Sequence, residues 1–174
     1  MELGDAIKLI KDESLQHTDD AVWADLGSGS GLFTYALANL LPPGGFVYSI
    51  DKTDIVLKKQ VNPNNITVRQ LRLNFDTDEL NLHNLDGILM ANSLHFVKNK
   101  QALILKLAKN LKPEGSFLIV EYNTDSSNPW VPFPLSYYSL KEEFKKAGYN
   151  HIQKLHERQS AFGRSQIYSA YINR

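Results

Sequence analysis

The chain has 174 residues, within the usual range for one domain, and a chain of this length buries roughly 70% of its unfolded surface unaided. It contains no cysteine, which excludes disulfides, thiolate zinc sites and cysteine nucleophiles together, and its 19 basic and 19 acidic residues cancel, so no global field draws it to nucleic acid or an anionic membrane. The opening MELGDAIKLIKDESLQ lacks the uncharged core of a secretory signal, and no window approaches the roughly 20 apolar residues of a membrane span, so a soluble, cytoplasmic protein with no membrane partner is expected.

In chain order, DAVWADL reads as a strand, GLFTYALANLL as a helix, GFVYSID as a strand, DIVLKKQ as a helix and ITVRQLRLNF as a strand. LDGILMA, a helix in KNKQALILKLAKNL and the strand SFLIVEY follow. Between Lys98 and Leu111 the residues Leu103, Ile104, Leu107, Ala108 and Leu111 make a single stripe at the helical period, and KPEG, Lys112 to Gly115, supplies a proline stop and a glycine turn. TDSSNPWVPFPLS, Thr124 to Ser136, has three prolines and reads as one long loop. Ser139 and Glu142 in SLKE form a capping box that predicts a helix from about Leu140 to Ala147, with Gly148 at its left-handed end. The tail holds two β-rich runs with a turn near Gly163, an antiparallel hairpin.

Such a succession of crossovers predicts one α/β domain over residues 1–174. The expected fold is a Rossmann-like three-layer sandwich around a seven-stranded, mostly parallel sheet with an antiparallel last strand.

The stretch ADLGSGSGLFTYAL sets Gly27, Gly29 and Gly31 at alternate positions between the first strand and the first helix. At that crossover bare backbone approaches a ligand at the carboxyl ends of the strands. A dinucleotide would want G-x-G-x-x-G and a pyrophosphate on the helix N-terminus. Here the spacing is G-x-G-x-G, Leu32 occupies the slot of the third fingerprint glycine, and Asp25 puts an anion beside the phosphate position. A cationic or neutral ligand suits the loop better.

ADLGSGSG resembles the D-x-G-x-G-x-G motif of class I S-adenosylmethionine-dependent methyltransferases, and VYSIDK, with Asp51, resembles their acidic strand end. LRLNFD, LDGILMANSLHFV and LKPEGSFLIVEY resemble the third strand end, the fourth strand and the LKPGG turn with the fifth strand, Glu114 replacing one glycine. The resemblance runs from about Ala21 to Tyr122. It implies S-adenosylmethionine as cofactor, with contacts from Asp25, Gly27, Ser28, Gly29 and Gly31, from Asp51 and its neighbour Lys52, and from Asn92. The Asp51 carboxylate would receive both ribose hydroxyls, and it follows the glycine loop at about the 20-residue spacing usual for such groups. Asn74 or Asp76 would meet the adenine amine, with Phe75 against the ring. Each residue also has a plain reading: Asp51 as the cap of the next helix, Asn74 and Asp76 as turn residues, and Asp86 as a structural strand start.

Methyl transfer from a sulfonium is an in-line displacement whose leaving group needs neither acid nor metal, so a missing catalytic dyad is no objection and no metal is expected. Positioning alone supplies roughly 7–11 kcal/mol. Where the acceptor must lose a proton, His95 in NSLHF is the first candidate base, since it follows the fourth strand; Glu121 and Tyr122 are weaker alternatives. ANSLHF does not resemble the NPPY-like tetrapeptide of DNA amino-methyltransferases, so a small-molecule acceptor is expected and no nucleic acid. Trp130, Phe133, Tyr137 and Tyr138 could wall the acceptor site or merely pin the loop to the core. A site without a long insert above it would stand open, or be closed by a partner or by a second copy in a homodimer. A non-catalytic S-adenosylmethionine-binding protein or partner subunit of the same fold is the alternative function.

Overall fold

Alternating apolar residues on the central strands feed two separate cores. In the computed structural model, which describes residues 1–16, 18–160 and 166–174, the strands are β1 (Val22–Leu26), β2 (Phe46–Asp51), β3 (Thr67–Arg72), β4 (Leu85–Ala91), β5 (Leu111–Tyr122), β6 (His151–Gln159) and β7 (Gln166–Asn173). They form one seven-stranded sheet in the order β3-β2-β1-β4-β5-β7-β6. Pairing is parallel from β3 through β5, and β7 runs antiparallel to both β5 and β6. The single reversed strand of the sequence reading is therefore β7, and the switch in strand order falls between β1 and β4, where a ligand crevice opens in such sheets.

Helices α1 (Leu3–Ile10) and α2 (Leu32–Ala38) cover one face, and α3 (Lys100–Ala108) and α4 (Tyr137–Lys146) the other. Along β5 the assignment alternates residue by residue: Phe117 and Ile119 pack with Leu107 and Phe144, while Leu118 and Val120 pack with Leu9, Phe33 and Leu37. A strand buried on both faces reads as an unbroken apolar run, which SFLIV is. Asp86 is structural, as its plain reading held: Oδ2 accepts the Val22 N–H at 2.8 Å and Oδ1 pairs with Lys112 Nζ at 2.6 Å.

Several local expectations are corrected. No helix forms in DIVLKKQ; residues 53–66 are irregular. Ile55, Val56 and Val61 are β-branched and Pro63 follows closely, all unfavourable to a helix. The chain is held instead by Lys58 N–H on Ser30 O (2.9 Å), Asn39 Nδ2 on Val61 O (2.7 Å), and Leu57 lying beneath Gly31. Residues 73–84 are likewise non-helical, so two crossovers on this side carry no covering helix. Helix α4 starts at Tyr137, three residues before the expected Leu140, because Ser136 rather than Ser139 is the cap: its Oγ accepts the Ser139 N–H at 3.2 Å. Gly148 does adopt the left-handed φ of +88°. KPEG is a bulge within β5, whose partners on β4 jump from Leu85↔Leu111 to Gly87↔Ser116. The turn near Gly163 lies outside the described residues. Helix α1, absent from the sequence reading, packs on α2 and β6, with Asp5 paired to Arg158 at 2.9 Å. Among the described residues no helix is long and apolar enough to cross a membrane.

Candidate functional site

The glycine loop is built from backbone donors. Gly27 and Ser28 N–H both reach Ile50 O, at 2.8 and 3.0 Å, and Gly31 N–H closes a turn on Ser28 O at 2.9 Å. Gly27, Gly29 and Gly31 all have left-handed φ, at +78°, +52° and +88°. The first two serve different purposes. A Cβ on Gly27 would sit 2.5 Å from Ser93 Cβ, so the loop packs directly on the β4 loop, where Ser93 Oγ donates to Leu26 O at 2.6 Å. A Cβ on Gly29 would meet nothing within 4 Å. That face is open to a ligand.

Asp51 ends β2 opposite the loop. Its Oδ2 accepts the Gly29 N–H at 3.0 Å, and its Oδ1 accepts both the N–H (3.0 Å) and the hydroxyl (2.7 Å) of Thr53. Partial burial would raise its pKa, but the Thr53 and Gly29 bonds outweigh that and hold it below the usual carboxylate value. No helix follows Asp51, so the helix-cap reading of this residue falls away.

Between the loop, Asp51 and the end of β4 lies a cavity of about 260 Å³. Gly27, Asp51, Lys52, Asn74, Phe75 and Asp76 line it, seven of the expected cofactor residues being on its wall once Asn92 is added. Ser93, Phe96 and Val97 complete the wall and had no signal in the sequence beyond following β4. Of the other expected residues, Ser28 and Gly29 lie on the half-buried loop beside this cavity without lining it, Gly31 is buried against Leu57 and Tyr35, and Asp25 lies behind the loop at 1% exposure. Asn74 and Asp76 stand together, Asn74 Oδ1 accepting the Asp76 N–H at 3.2 Å.

Two features of the wall ask for a ligand that donates. Asn92, held at φ +53° with its N–H on Val120 O at 2.8 Å, has a buried side-chain oxygen with no hydrogen-bond partner among the described residues. The charges on the wall are two carboxylates, Asp51 and Asp76, against one ammonium, Lys52. A buried acceptor left unpaired costs about 1–3 kcal/mol, so the cavity is complementary to a cationic, donor-rich molecule and repels a diphosphate. S-Adenosylmethionine, with donors on its ribose hydroxyls, adenine amine and ammonium and a positive charge on its sulfonium, fits that demand.

His95 lies in the short 3-10 turn Leu94–Phe96 after β4 and is only 3% exposed. Its Nδ1 is 2.7 Å from Glu121 Oε2, and its backbone N–H donates to Glu121 Oε1 at 3.1 Å. Its ring packs on Phe96, with centroids 4.3 Å apart, and approaches Tyr122. His95 and Glu121, alternative candidate bases by sequence, form one unit.

Behind the loop, the Thr34 hydroxyl donates to Asp25 Oδ2 at 2.6 Å, and Ser49 Oγ links Thr34 (3.2 Å) to Ser28 Oγ (2.8 Å). Burial pushes the Asp25 pKa up to about 7, against the lowering bond from Thr34, and the Asp51 charge adds to the rise. A hydroxyl on the otherwise apolar, buried LFTYALA helix was the one sequence signal for Thr34.

The aromatic loop does not wall the cavity. Phe133 N–H bonds His95 O at 3.0 Å, Lys100 Nζ bonds Phe133 O at 2.8 Å, and Tyr168 hydroxyl bonds Leu135 O at 2.8 Å, so the loop is pinned beside the His95 turn. Trp130 and Tyr138 point outward, 80% and 73% exposed, and the Tyr137 hydroxyl is tied to Ile152 O.

A glycine crevice at the reversal of a 3-2-1-4-5-7-6 sheet, faced by an acidic strand end, defines a class I S-adenosylmethionine-dependent methyltransferase domain. The chain belongs to the methyltransferase-domain family, which it matches over residues 17–166. No curated protein sequence matches it. Among solved structures it is similar to an S-adenosylmethionine-dependent methyltransferase from Aquifex aeolicus, at TM-score 0.63 and 16% identity over all of both chains. It is also similar to a putative O-methyltransferase from Nostoc punctiforme, at TM-score 0.65 and 18% identity over 89% of this chain and 53% of that one. Human N-acetylserotonin methyltransferase, solved with its cofactor, gives TM-score 0.69 and 16% identity over 98% of this chain and 51% of that one. The chain thus spans about half the length of the Nostoc and human proteins, and at these identities the likeness is one of fold.

Proposed function

We propose that the domain transfers a methyl group to a small molecule whose attacking atom, a hydroxyl or similar group, gives up a proton as it reacts. The observation that carries this reading is the buried His95–Glu121 pair, 2.7 Å apart, on the β4 turn whose Asn92, Ser93, Phe96 and Val97 line the cavity. Bound S-adenosylmethionine would supply a methyl group made electrophilic by the adjacent sulfonium. Asp51 orients the ribose, Asn74, Phe75 and Asp76 hold the adenine, and Gly29 leaves room for the remainder. Asn92 offers its unpaired oxygen to a donor on the ligand. Glu121 holds the proton of His95 on Nδ1, which leaves Nε2 as the atom that accepts the proton of the methyl acceptor. Positioning supplies the larger share, roughly 7–11 kcal/mol, and the base adds about 10²–10⁴-fold.

Burial of His95 to 3% exposure favours a second reading, a cofactor-binding subunit in which the pair is structural. Calorimetry with S-adenosylmethionine and with NAD(P)H, followed by a panel of phenols, amines, thiols and quinones assayed for S-adenosylhomocysteine release, separates the two. Exclusive binding of the nicotinamide overturns the cofactor assignment. Tight nucleoside binding without turnover on any acceptor favours the subunit.

A further inference from the structure

Four side chains make a continuous line from the core to the glycine loop. Asp25 on β1, Thr34 on α2, Ser49 on β2 and Ser28 on the loop are joined in that order at 2.6, 3.2 and 2.8 Å. The first three are buried and Ser28 is half-buried on the glycine loop next to Gly27, which lines the cavity, so the line has one end sealed and one at the partly exposed loop. Each hydroxyl has a single proton, so along an unbranched line all of them donate in the same direction. With Asp25 ionised, Thr34 donates to it, Ser49 to Thr34 and Ser28 to Ser49, and Ser28 turns its lone pairs to the crevice. With Asp25 protonated on Oδ2 the order reverses, and Ser28 turns its proton outward.

We propose that Thr34 and Ser49 are positioning residues through which the protonation of Asp25 sets whether Ser28 meets the cofactor as acceptor or as donor. The inference rests on the cofactor assignment above. Both forms are accessible near neutrality, since burial pushes Asp25 up to about 7. Its Oδ1 has no partner among the described residues, so the ionised form is poorly solvated from within the protein. Of the elements packed on β1, β2 carries Tyr48 and Asp51, α2 carries Tyr35, α1 carries Asp5 and Lys8, and β4 carries Asp86 at the far end of the sheet, paired with Lys112. Asp51 is the one whose charge acts on Asp25, and it opposes ionisation. A ligand with an ammonium group favours the inward-donating order, so binding draws a proton out of the line and strengthens as pH rises.

The test is calorimetry of the full chain with S-adenosylhomocysteine from about pH 5.5 to 8.5, in buffers of different ionisation enthalpy, with thermal melts to confirm folding. Wild-type affinity is expected to rise with pH by up to about tenfold per unit on the acid side, the limit for one linked proton, and to level off above neutrality. Ser49→Ala keeps the Asp25–Thr34 bond but breaks the line, and is expected to flatten that profile. The isosteric Thr34→Val breaks the line as well, though it also removes the bond to Asp25; it is likewise expected to flatten the profile and carries the test if Ser49→Ala does not fold. The ligand's own amine titrates identically in every protein, so only differences between variants are read. A Ser49→Ala profile that follows the wild type means Asp25 acts through space, and a flat wild-type profile means it does not act; either overturns the relay alone. No binding at any pH overturns the cofactor assignment and the relay with it.

Discussion

His95 is gripped twice by one carboxylate. Glu121 Oε2 lies 2.7 Å from the imidazole Nδ1, and Oε1 accepts the backbone N–H of the same residue at 3.1 Å. The two contacts fix both the turn and the ring upon it. Because Glu121 lies one residue from the end of β5 and is fully buried, the orientation of His95 is referred to a strand paired along both edges.

His95→Ala is expected to lower turnover by about 10²–10⁴-fold while leaving nucleoside affinity unchanged. Glu121→Gln should have a similar effect with little loss of fold: the amide oxygen still accepts the backbone N–H, while its NH₂ faces Nδ1 and forces the ring proton onto Nε2. Turnover and calorimetric affinity measured on the same preparations check this, and wild-type turnover in both variants returns the pair to a structural role.

Replacing Asp51 by Ala is expected to weaken S-adenosylhomocysteine binding by about 1.5–3 kcal/mol, the range for hydrogen bonds to a charged group. It also frees the Gly29 and Thr53 N–H groups, so a melting curve must accompany the titration. Unaltered affinity in the folded variant rejects the ribose assignment.

The two glycines should separate stability from binding. Gly29→Ala meets open space, so its cost to the fold is the left-handed backbone, roughly 1–2 kcal/mol, but its methyl intrudes on the ligand and should abolish nucleoside binding. Gly27→Ala carries the same backbone cost and drives its methyl against Ser93, so it should melt lower than Gly29→Ala. Denaturation and calorimetry on the pair decide the matter; the reverse order of stabilities refutes the packing argument.

Asp25 makes the ligand-free protein pH-dependent. Burial raises its folded pKa from the ordinary carboxylate range to about 7, so the folded state binds the proton more tightly. The associated stability is fully present below about pH 4 and is lost as pH climbs through 7, on the order of 4 kcal/mol for one fully buried group. Asp25→Asn should therefore be more stable than wild type at pH 8, with the advantage disappearing in acid. Urea denaturation at both ends of that range tests it.

What could be read beforehand divides by the reach of the interaction. The glycine loop, Asp51 and the β1 to β5 succession follow from runs of adjacent residues, where backbone chemistry is local, and they were legible. Thr34, Ser49 and Ser28 meet only once α2 docks on β2, and nothing in LFTYALA or FVYSID alone signals that partnership. Glu121 looked like a rival of His95 because the register that aligns β4 with β5 is tertiary information. DIVLKKQ misled for a different reason: its charges and leucine suit a helix, but its anchors are Ser30, Asn39 and the underside of Gly31, all contributed from elsewhere.

β3 is an edge strand of the sheet, and with no helix in the crossovers on either side of it in sequence its side chains are half-buried at best. Asp51, Asn74 and Asp76 thus hang beside this thinly covered edge, while His95 and Glu121 are buried. Occupancy would then act as a keystone, tightening one flank only: slow amide exchange should spread into β3 when nucleoside is added and leave β5 and β7 as they were.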